Sequence, residues 1–443
     1  MKQKFWKKFS SFQIIIGGFL AVILLGAVLL MFPFSSAAGQ WTSFEDTLFT
    51  STSAVCVTGL IVKDTGIYWS LFGQILILIL IQIGGLGVIS FAVFFAAVSG
   101  RKISLFQRSM LQESISAHQI GGIVRMTGFI FRNAFIIEVI GAAALLPAFC
   151  LEFGPQGIWM AFFHSVSAFC NAGFDIMGGH SGEFSSLTHF AGNPAVVIPI
   201  CLLIIVGGIG FLTWDDIAEN KFRFKKYRLQ SKVILVTSLL LIVLPAIMFF
   251  FFDFKDYPLK TRIFLSLFQS VTPRTAGFNT ADLSLMTGAG KAVIVGLMLI
   301  GGSPGSTAGG MKTTTLPVLL ANAVSVFRRK KNAEMFGRRI DDATVKNASA
   351  LLMIYLTLPV AGAAVLSVTN GLPIAVCAFE TASALGTAGL TLGITTGLNT
   401  LSHILLVIFM FIGRVGGLTL IYAALSVKTA EVSQYPVEKI NVG

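Results

Sequence analysis

Charge is what this sequence lacks most. Asp, Glu, Lys and Arg make up only 12% of its 443 residues, about half the share of an ordinary soluble domain, which leaves too little polar material to solvate a surface of this size. An ordinary cytosolic enzyme is excluded. Cysteine is sparse and odd in number: Cys56, Cys150, Cys170, Cys201 and Cys377 stand in or beside apolar stretches without paired metal spacing, which argues against a disulfide framework or a zinc site. The five histidines (His118, His164, His180, His189, His403) are scattered and no nucleophile or metal motif converges with them. The sequence therefore reads as not an enzyme, with no covalent cofactor.

What is abundant is apolar residue and glycine: 55% hydrophobic, 40 Phe and 45 Gly, with a mean hydropathy of +0.83. These values predict an integral membrane protein rather than a large buried core. The net charge of +12 does not indicate nucleic acid, because most Lys and Arg cluster at 1–11, 100–132, 221–232, 328–346 and 428–443, between long apolar spans. That distribution follows the positive-inside rule, so membrane lipid is the expected surroundings and both termini are expected in the cytoplasm.

Apolar helical runs occur at 12–33, 71–98, 126–150, 194–214, 231–252, 290–325, 347–368 and 401–426, predicting eight spans. The run at 12–33 exceeds a signal-peptide core and reads as the first of them. Between the members of each pair stands a shorter segment, and the four segments repeat: S-A-V-C-V-T-G-L from Ser53, S-A-F-C-N-A-G-F from Ser167, S-V-T-P-R-T-A-G-F from Ser270 and S-A-L-G-T-A-G-L from Ser383. Their glycines, Gly59, Gly173, Gly277 and Gly389, are 114, 104 and 112 residues apart. A second landmark recurs further on, in I-G-G-L-G from Ile83, V-G-G-I-G from Val206, I-G-G-S-P-G from Ile300 and I-G-R-V-G from Ile412.

Each unit thus reads as helix, half-length helix, extended segment, helix. Pro155, Pro258 and Pro373 are placed to open the later half-helices, and Thr42 with Glu45 to cap the first. A half-helix ends inside the bilayer and points its carbonyl end at the membrane centre, where it favours a cation. The glycine lets successive carbonyls turn toward a shared axis, and four such strands make a ring that replaces the hydration shell of a monovalent ion, potassium above others. The expected selectivity segments are Val57, Thr58 and Gly59; Asn171, Ala172 and Gly173; Thr275, Ala276 and Gly277; Thr387, Ala388 and Gly389. K+ would sit at their backbone carbonyls. Asp175 and Asp282 are placed at the mouth, where they either attract cations or are simply solvated.

The sixth run is interrupted by Gly301, Gly302, Ser303, Pro304, Gly305, Ser306, Thr307, Ala308, Gly309 and Gly310. It is not a phosphate loop, since Met311 interrupts the required Gly-Lys step before Lys312 and a membrane helix precedes it. It predicts a helix broken midway, which is tolerated beside an aqueous path.

On the four glycine segments, the eight runs and the stretch 301–310, the chain resembles the potassium-translocating membrane subunit of the Ktr/Trk/HKT superfamily, and among its branches the Ktr type. The resemblance implies an all-α membrane fold with four repeats in pseudo-fourfold symmetry around one pore: 12–100, 121–220, 228–330 and 345–430, between cytoplasmic ends 1–11 and 431–443. It implies potassium uptake, with Na+ as a candidate activator, in a homodimer seated on a cytosolic ring of nucleotide-binding regulatory subunits. It also implies that loop 301–313 is a gate, with Lys312 at its far end, and that Arg414 reaches it. A lone arginine at mid-span is functional or paired by default. The competing expectation is a sodium-coupled alternating-access cation symporter. Arg274 and Glu380 are expected to pair between neighbouring units, and Glu138 is given no role.

Overall fold

The computed structural model describes residues 10–100, 103–115, 121–424 and 438. The expected cytoplasmic ends therefore lie almost wholly outside the described residues. Among the described residues, four helices are long and apolar enough to cross a membrane: α1 (Ser11–Met31), α6 (Ile123–Phe153), α10 (Leu229–Phe252) and α14 (Asp342–Asn370). About a third or less of each apolar stretch is buried within the protein. An outward face of bare Leu, Ile, Val and Phe, such as Leu239, Leu244 and Ile247 on α10, fits lipid as its solvent.

Each long helix is followed by a short buried one: α2 (Phe44–Val55), α7 (Gln156–Phe169), α11 (Leu259–Val271) and α15 (Ile374–Gly386). Pro155, Pro258 and Pro373 occupy the N-cap positions of α7, α11 and α15. The cap of α2 corrects the sequence reading: Ser43, not Thr42, accepts the Asp46 N–H at 3.1 Å, and Thr42 instead accepts the Tyr68 hydroxyl. Long and short helices are laced by one recurring bond. Ser51, Ser165 and Thr381 donate to the carbonyls of Ile23, Glu138 and Pro359 at 2.7, 2.6 and 2.9 Å, and three residues after each acceptor stands a glycine (Gly26, Gly141, Gly362) whose added Cβ would overlap the short helix or its neighbours.

The closing helix of the third unit is broken at 300–314, as its Gly-rich stretch predicts, and those of the other three depart from the sequence expectation. The runs 71–98, 194–214, 290–325 and 401–426 are not continuous. They divide into α3 (Leu71–Leu86) and α4 (Val88–Val98), α8 (Pro194–Gly208) and α9 (Phe211–Asn220), α12 (Gly288–Leu299) and α13 (Thr315–Phe327), and α16 (Thr400–Val415) and α17 (Gly417–Ala424). The first two pairs bend by 95° and 97°, and counting each as one broken span brings the candidate spans among the described residues from four to six, against the eight expected. The cause is the last glycine of each landmark: Gly87, Gly210 and Gly416 have φ of 88°, 92° and 94°, a conformation that ends a right-handed helix and that side chains resist. α5 (Leu105–Ile115) follows α4, and β1 (Glu334–Met335) pairs antiparallel with β2 (Arg338–Arg339) beyond α13. The bends carry α4 and α9 away from the spanning direction and leave the centre to the short helices and the segments after them.

Candidate functional site

The four short helices deliver their C-terminal ends to one place, where the glycine segments close a ring. A Cβ added at Gly59 would stand 2.7 Å from the Ala172 carbonyl oxygen, one at Gly173 2.6 Å from that of Ala276, and one at Gly277 3.0 Å from that of Ala388. One at Gly389 would overlap the Thr58 carbonyl oxygen, which returns the sequence to its start. Each glycine is thus packed against the backbone of the next segment, with no room for a side chain.

Two residues before each glycine the backbone is also left-handed: φ is 50° at Val57, 56° at Asn171, 68° at Thr275 and 50° at Thr387. Three of these are β-branched, for which the conformation is a genuine outlier. Strain repeated at four equivalent places is held by its surroundings and marks a site of function. The hydroxyls that hold it are the first residues of the repeated motifs or their near neighbours. Ser53 accepts the Gly59 N–H at 3.1 Å, Ser167 donates to Phe174 O at 2.7 Å and Thr272 to Phe278 O at 2.6 Å. Sequence reasoning missed these roles, although the recurring Ser was their signal.

On one side of the ring lies a cavity of about 380 Å³ with all four glycines in its wall, together with Asp175, Asp282 and Thr391. Burial chiefly, with the nearby Asp64 charge, raises the Asp175 carboxyl to about 6 against the opposing pull of the Met177 N–H. Asp282 caps a helical turn through the Ser284 N–H at 2.8 Å.

On the other side lies the loop between α12 and α13, docked onto the second and fourth units. Ser303 N–H and Thr307 N–H donate to Gly208 O and Gly207 O at 3.0 and 3.3 Å, Phe211 N–H donates to Gly305 O at 2.7 Å, and Gly310 N–H donates to Gly413 O at 3.1 Å. The Thr307 hydroxyl donates to Phe169 O, the carbonyl end of α7, at 3.1 Å and lies 3.4 Å from the Asn171 amide oxygen. Gly309 packs against Thr387, directly below the ring. Inside the loop, Thr313 N–H donates to Gly302 O at 3.0 Å, Ser303 contacts the Thr313 hydroxyl at 3.1 Å and Ser306 donates to Ser303 O at 2.7 Å. Gly301 abuts Gly309 and Gly310, while Pro304 and Gly305 (φ 62°) turn the chain. Beyond the loop is a second cavity of about 300 Å³, lined by Lys312, Arg414, Glu113 and Tyr355 among others.

Arg414 donates to the carbonyls of Thr307, Gly84 and Gly85, the last at 2.9 Å. Lys312 turns back to Ala308 O at 3.0 Å. The expected pair of Arg274 and Glu380 does not form. Arg274 donates to the Ser238 hydroxyl on α10 at 3.1 Å, and Glu380 accepts the Thr391 and Thr395 hydroxyls at 2.7 and 2.5 Å, so each is satisfied within its own unit. Glu138 accepts from Gln82 at 2.8 Å. All five cysteines are free, and among the described residues no group of three or more His, Cys, Asp or Glu is arranged to hold a metal.

Fold and site together define a helical multi-pass membrane protein. The family model of the TrkH cation transport proteins matches residues 7–434. The chain belongs to that family. It is 42% identical to the potassium/sodium uptake protein NtpJ of Enterococcus hirae, over 100% of this chain and 99% of that one. It is 36% identical to the Ktr system potassium uptake protein B of Bacillus subtilis, over 99% and 98%. Among solved structures, the potassium transporter TrkH of Vibrio parahaemolyticus superposes with a TM-score of 0.73 at 18% identity, covering 95% of this chain and 84% of that one.

Proposed function

We propose that this chain takes up potassium across the cell membrane through the ring of four glycine segments, which acts as a backbone-carbonyl selectivity filter. The observation that carries the reading is the closure of the ring: each glycine faces the carbonyl of the next segment and the fourth faces the first. Four helix C-termini aimed at one point favour a cation there, and carbonyls in place of water select a weakly hydrated monovalent ion. The relatives named as potassium uptake proteins support the same ion. On this reading units 12–100, 121–220, 228–330 and 345–430 are four repeats in pseudo-fourfold symmetry, and a negative-inside potential drives entry by about 2.3 kcal/mol per 100 mV.

The docked loop 301–313 is the gate of this pathway. It lies between the ring and the second cavity, and Arg414 is its latch. On this reading both termini are cytoplasmic, on the side of the basic clusters, and the chain is a homodimer seated on a ring of nucleotide-binding regulatory subunits; the names of the Ktr-system relatives support further components of such a system. The name of the Enterococcus relative also pairs potassium with sodium, which favours Na+ as activator and keeps a sodium-coupled symporter as the second reading.

The test is potassium-dependent growth and potassium over sodium selectivity of an uptake-deficient strain carrying Gly277→Ser or Gly59→Ser. At φ of 81° and 92°, with carbonyls in contact, a side chain must distort the ring and weaken both. Undiminished affinity and selectivity in both variants overturn the filter. Uptake that requires a sodium gradient rather than sodium itself favours the symporter.

A further inference from the structure

Between the opening helix of the third unit and its broken closing helix lies an apolar groove of about 780 Å³. α12 stops at Leu299, residues 300–314 turn inward to dock under the ring, and α13 resumes at Thr315. α10 therefore faces two helices rather than one continuous one. Val233, Val236, Leu240 and Leu244 form the wall on α10, opposite Leu297 on α12 and Leu320 on α13. Gly296 widens the groove, since a Cβ added there would meet nothing within 4 Å. From Val233 to Pro245 the groove follows α10 for about 18 Å, close to the ~15 Å of hydrocarbon in one leaflet.

One end of the groove is rimmed by positive charge. Lys232 directly precedes Val233, and Arg328 follows Val324 by one helical turn, on the face of α13 that lines the groove. Arg329, Lys330 and Lys331 continue the run and are exposed. The carboxylate in the wall, Glu334 on β1, is neutralised by Lys330 at 2.8 Å. Lys232 reaches only a carbonyl, that of Lys225, at 2.8 Å, and Arg328, Arg329 and Lys331 carry no ion pair among the described residues. Phe327 and Phe336 are 83% and 50% exposed beside them, at the level where aromatic rings border the headgroups. An apolar slot one leaflet deep with an unmatched positive rim fits a long hydrocarbon chain that ends in an anionic head. A second copy of this chain would bring the same apolar wall and the same positive rim, and so leaves the charge unmatched.

We propose that the groove binds one acyl chain of an anionic phospholipid from the leaflet on the basic side, with the lipid phosphate held by Lys232 and Arg328. Basic pockets between spanning helices suit such headgroups, and each Lys or Arg near the surface strengthens the attraction about fivefold. Leu316 and Pro317, directly after the docked loop, belong to the wall, so an occupied groove braces the helix on which that loop ends. The site does not depend on the ring being the ion path.

The test is the melting midpoint of the purified full chain in detergent, titrated with dioleoyl phosphatidylglycerol, dioleoyl phosphatidylcholine or glycerol phosphate. A ligand of the native state raises the midpoint in a saturable way. Phosphatidylglycerol does so, phosphatidylcholine needs about tenfold more lipid for the same rise, and glycerol phosphate gives none. Combining Lys232→Gln with Arg328→Gln raises the half-saturating phosphatidylglycerol concentration by about tenfold or more and leaves the phosphatidylcholine response unchanged. Arg125→Gln, on the basic side of the second unit and outside the groove, behaves as wild type. Gly296→Leu fills the groove, keeps the lipid-free midpoint and loses most of the phosphatidylglycerol response. Equal responses to the two lipids, a wild-type half-saturation in the doubly neutralised variant, or a shift by glycerol phosphate alone overturns the proposal. So does a Gly296→Leu chain that keeps its lipid response but changes its mass by light scattering, which assigns the groove to a second copy. The doubly neutralised variant alone decides if Gly296→Leu is not recovered folded.

Discussion

Arg414→Ala is the sharpest perturbation of the docked loop, and its size follows from the bonds it removes. The guanidinium is half-buried and donates to Thr307 O in the loop and to Gly84 O and Gly85 O in the first unit. Two of the three bonds anchor the arginine, and one ties the loop to it. A hydrogen bond from a charged group contributes about 1.5–3 kcal/mol, so losing the Thr307 tie shifts the balance between docked and undocked loop by roughly 10- to 150-fold. The fold survives the loss, because Ser303, Thr307 and Gly310 keep their backbone bonds to Gly208, Gly207 and Gly413. Basal rubidium flux into vesicles bearing the purified chain therefore rises in Arg414→Ala. It rises less in Arg414→Lys, whose single ammonium cannot fork between the loop and the first unit. Flux equal to the wild type, at equal protein per vesicle, would refute the claim that this arginine holds the loop closed.

Asp175 supplies a pH-dependent test at the cavity beside the ring. Its carboxyl, raised to about 6 chiefly by burial, is neutral below that pH and charged above it, so uptake falls as external pH drops through about 6 and Asp175→Asn removes that fall. Stability runs the opposite way: a raised carboxyl favours the folded state at low pH and gives up that contribution as pH rises through about 6, so Asp175→Asn gains most in thermal stability above that value. Gly207→Ala tests the helix approach, since its Cβ would overlap Phe169 O at the end of α7. A cost of about 1–3 kcal/mol is expected for forcing the two helices apart, read as a lowered melting midpoint in detergent; an unchanged midpoint removes the packing role assigned to the landmark glycine.

What the sequence disclosed, and what it hid, divides along repetition. Gly59, Gly173, Gly277 and Gly389 were legible because four copies state one backbone requirement, and chance does not repeat it at nearly equal spacing. The landmark glycines were visible for the same reason, yet their two jobs were not. Gly84, Gly207 and Gly413 let helices touch the carbonyl ends of α2, α7 and α15, while Gly87, Gly210 and Gly416 break the helix. Apolar periodicity alone cannot tell a small residue that packs from one that bends, so three of the four closing spans were expected whole. The left-handed Val57, Thr275 and Thr387 were illegible because local propensity opposes that conformation at β-branched residues, and only the surrounding ring enforces it.

Features carried by a single unit were hidden more deeply. Asn171 stands where the other units have Val57, Thr275 and Thr387, and among those four positions its amide contacts both Thr275 and the loop hydroxyl of Thr307. Glu380 invited pairing with the nearest unassigned cation, Arg274, although two hydroxyls 11 and 15 residues further along the chain satisfy it instead. His403 Nδ1 stands 2.8 Å from Glu45 Oε1 although the two are 358 residues apart, beyond the reach of any local pattern. On the proposed reading, the positions shared by the four segments make the ion path and the unique ones break its symmetry.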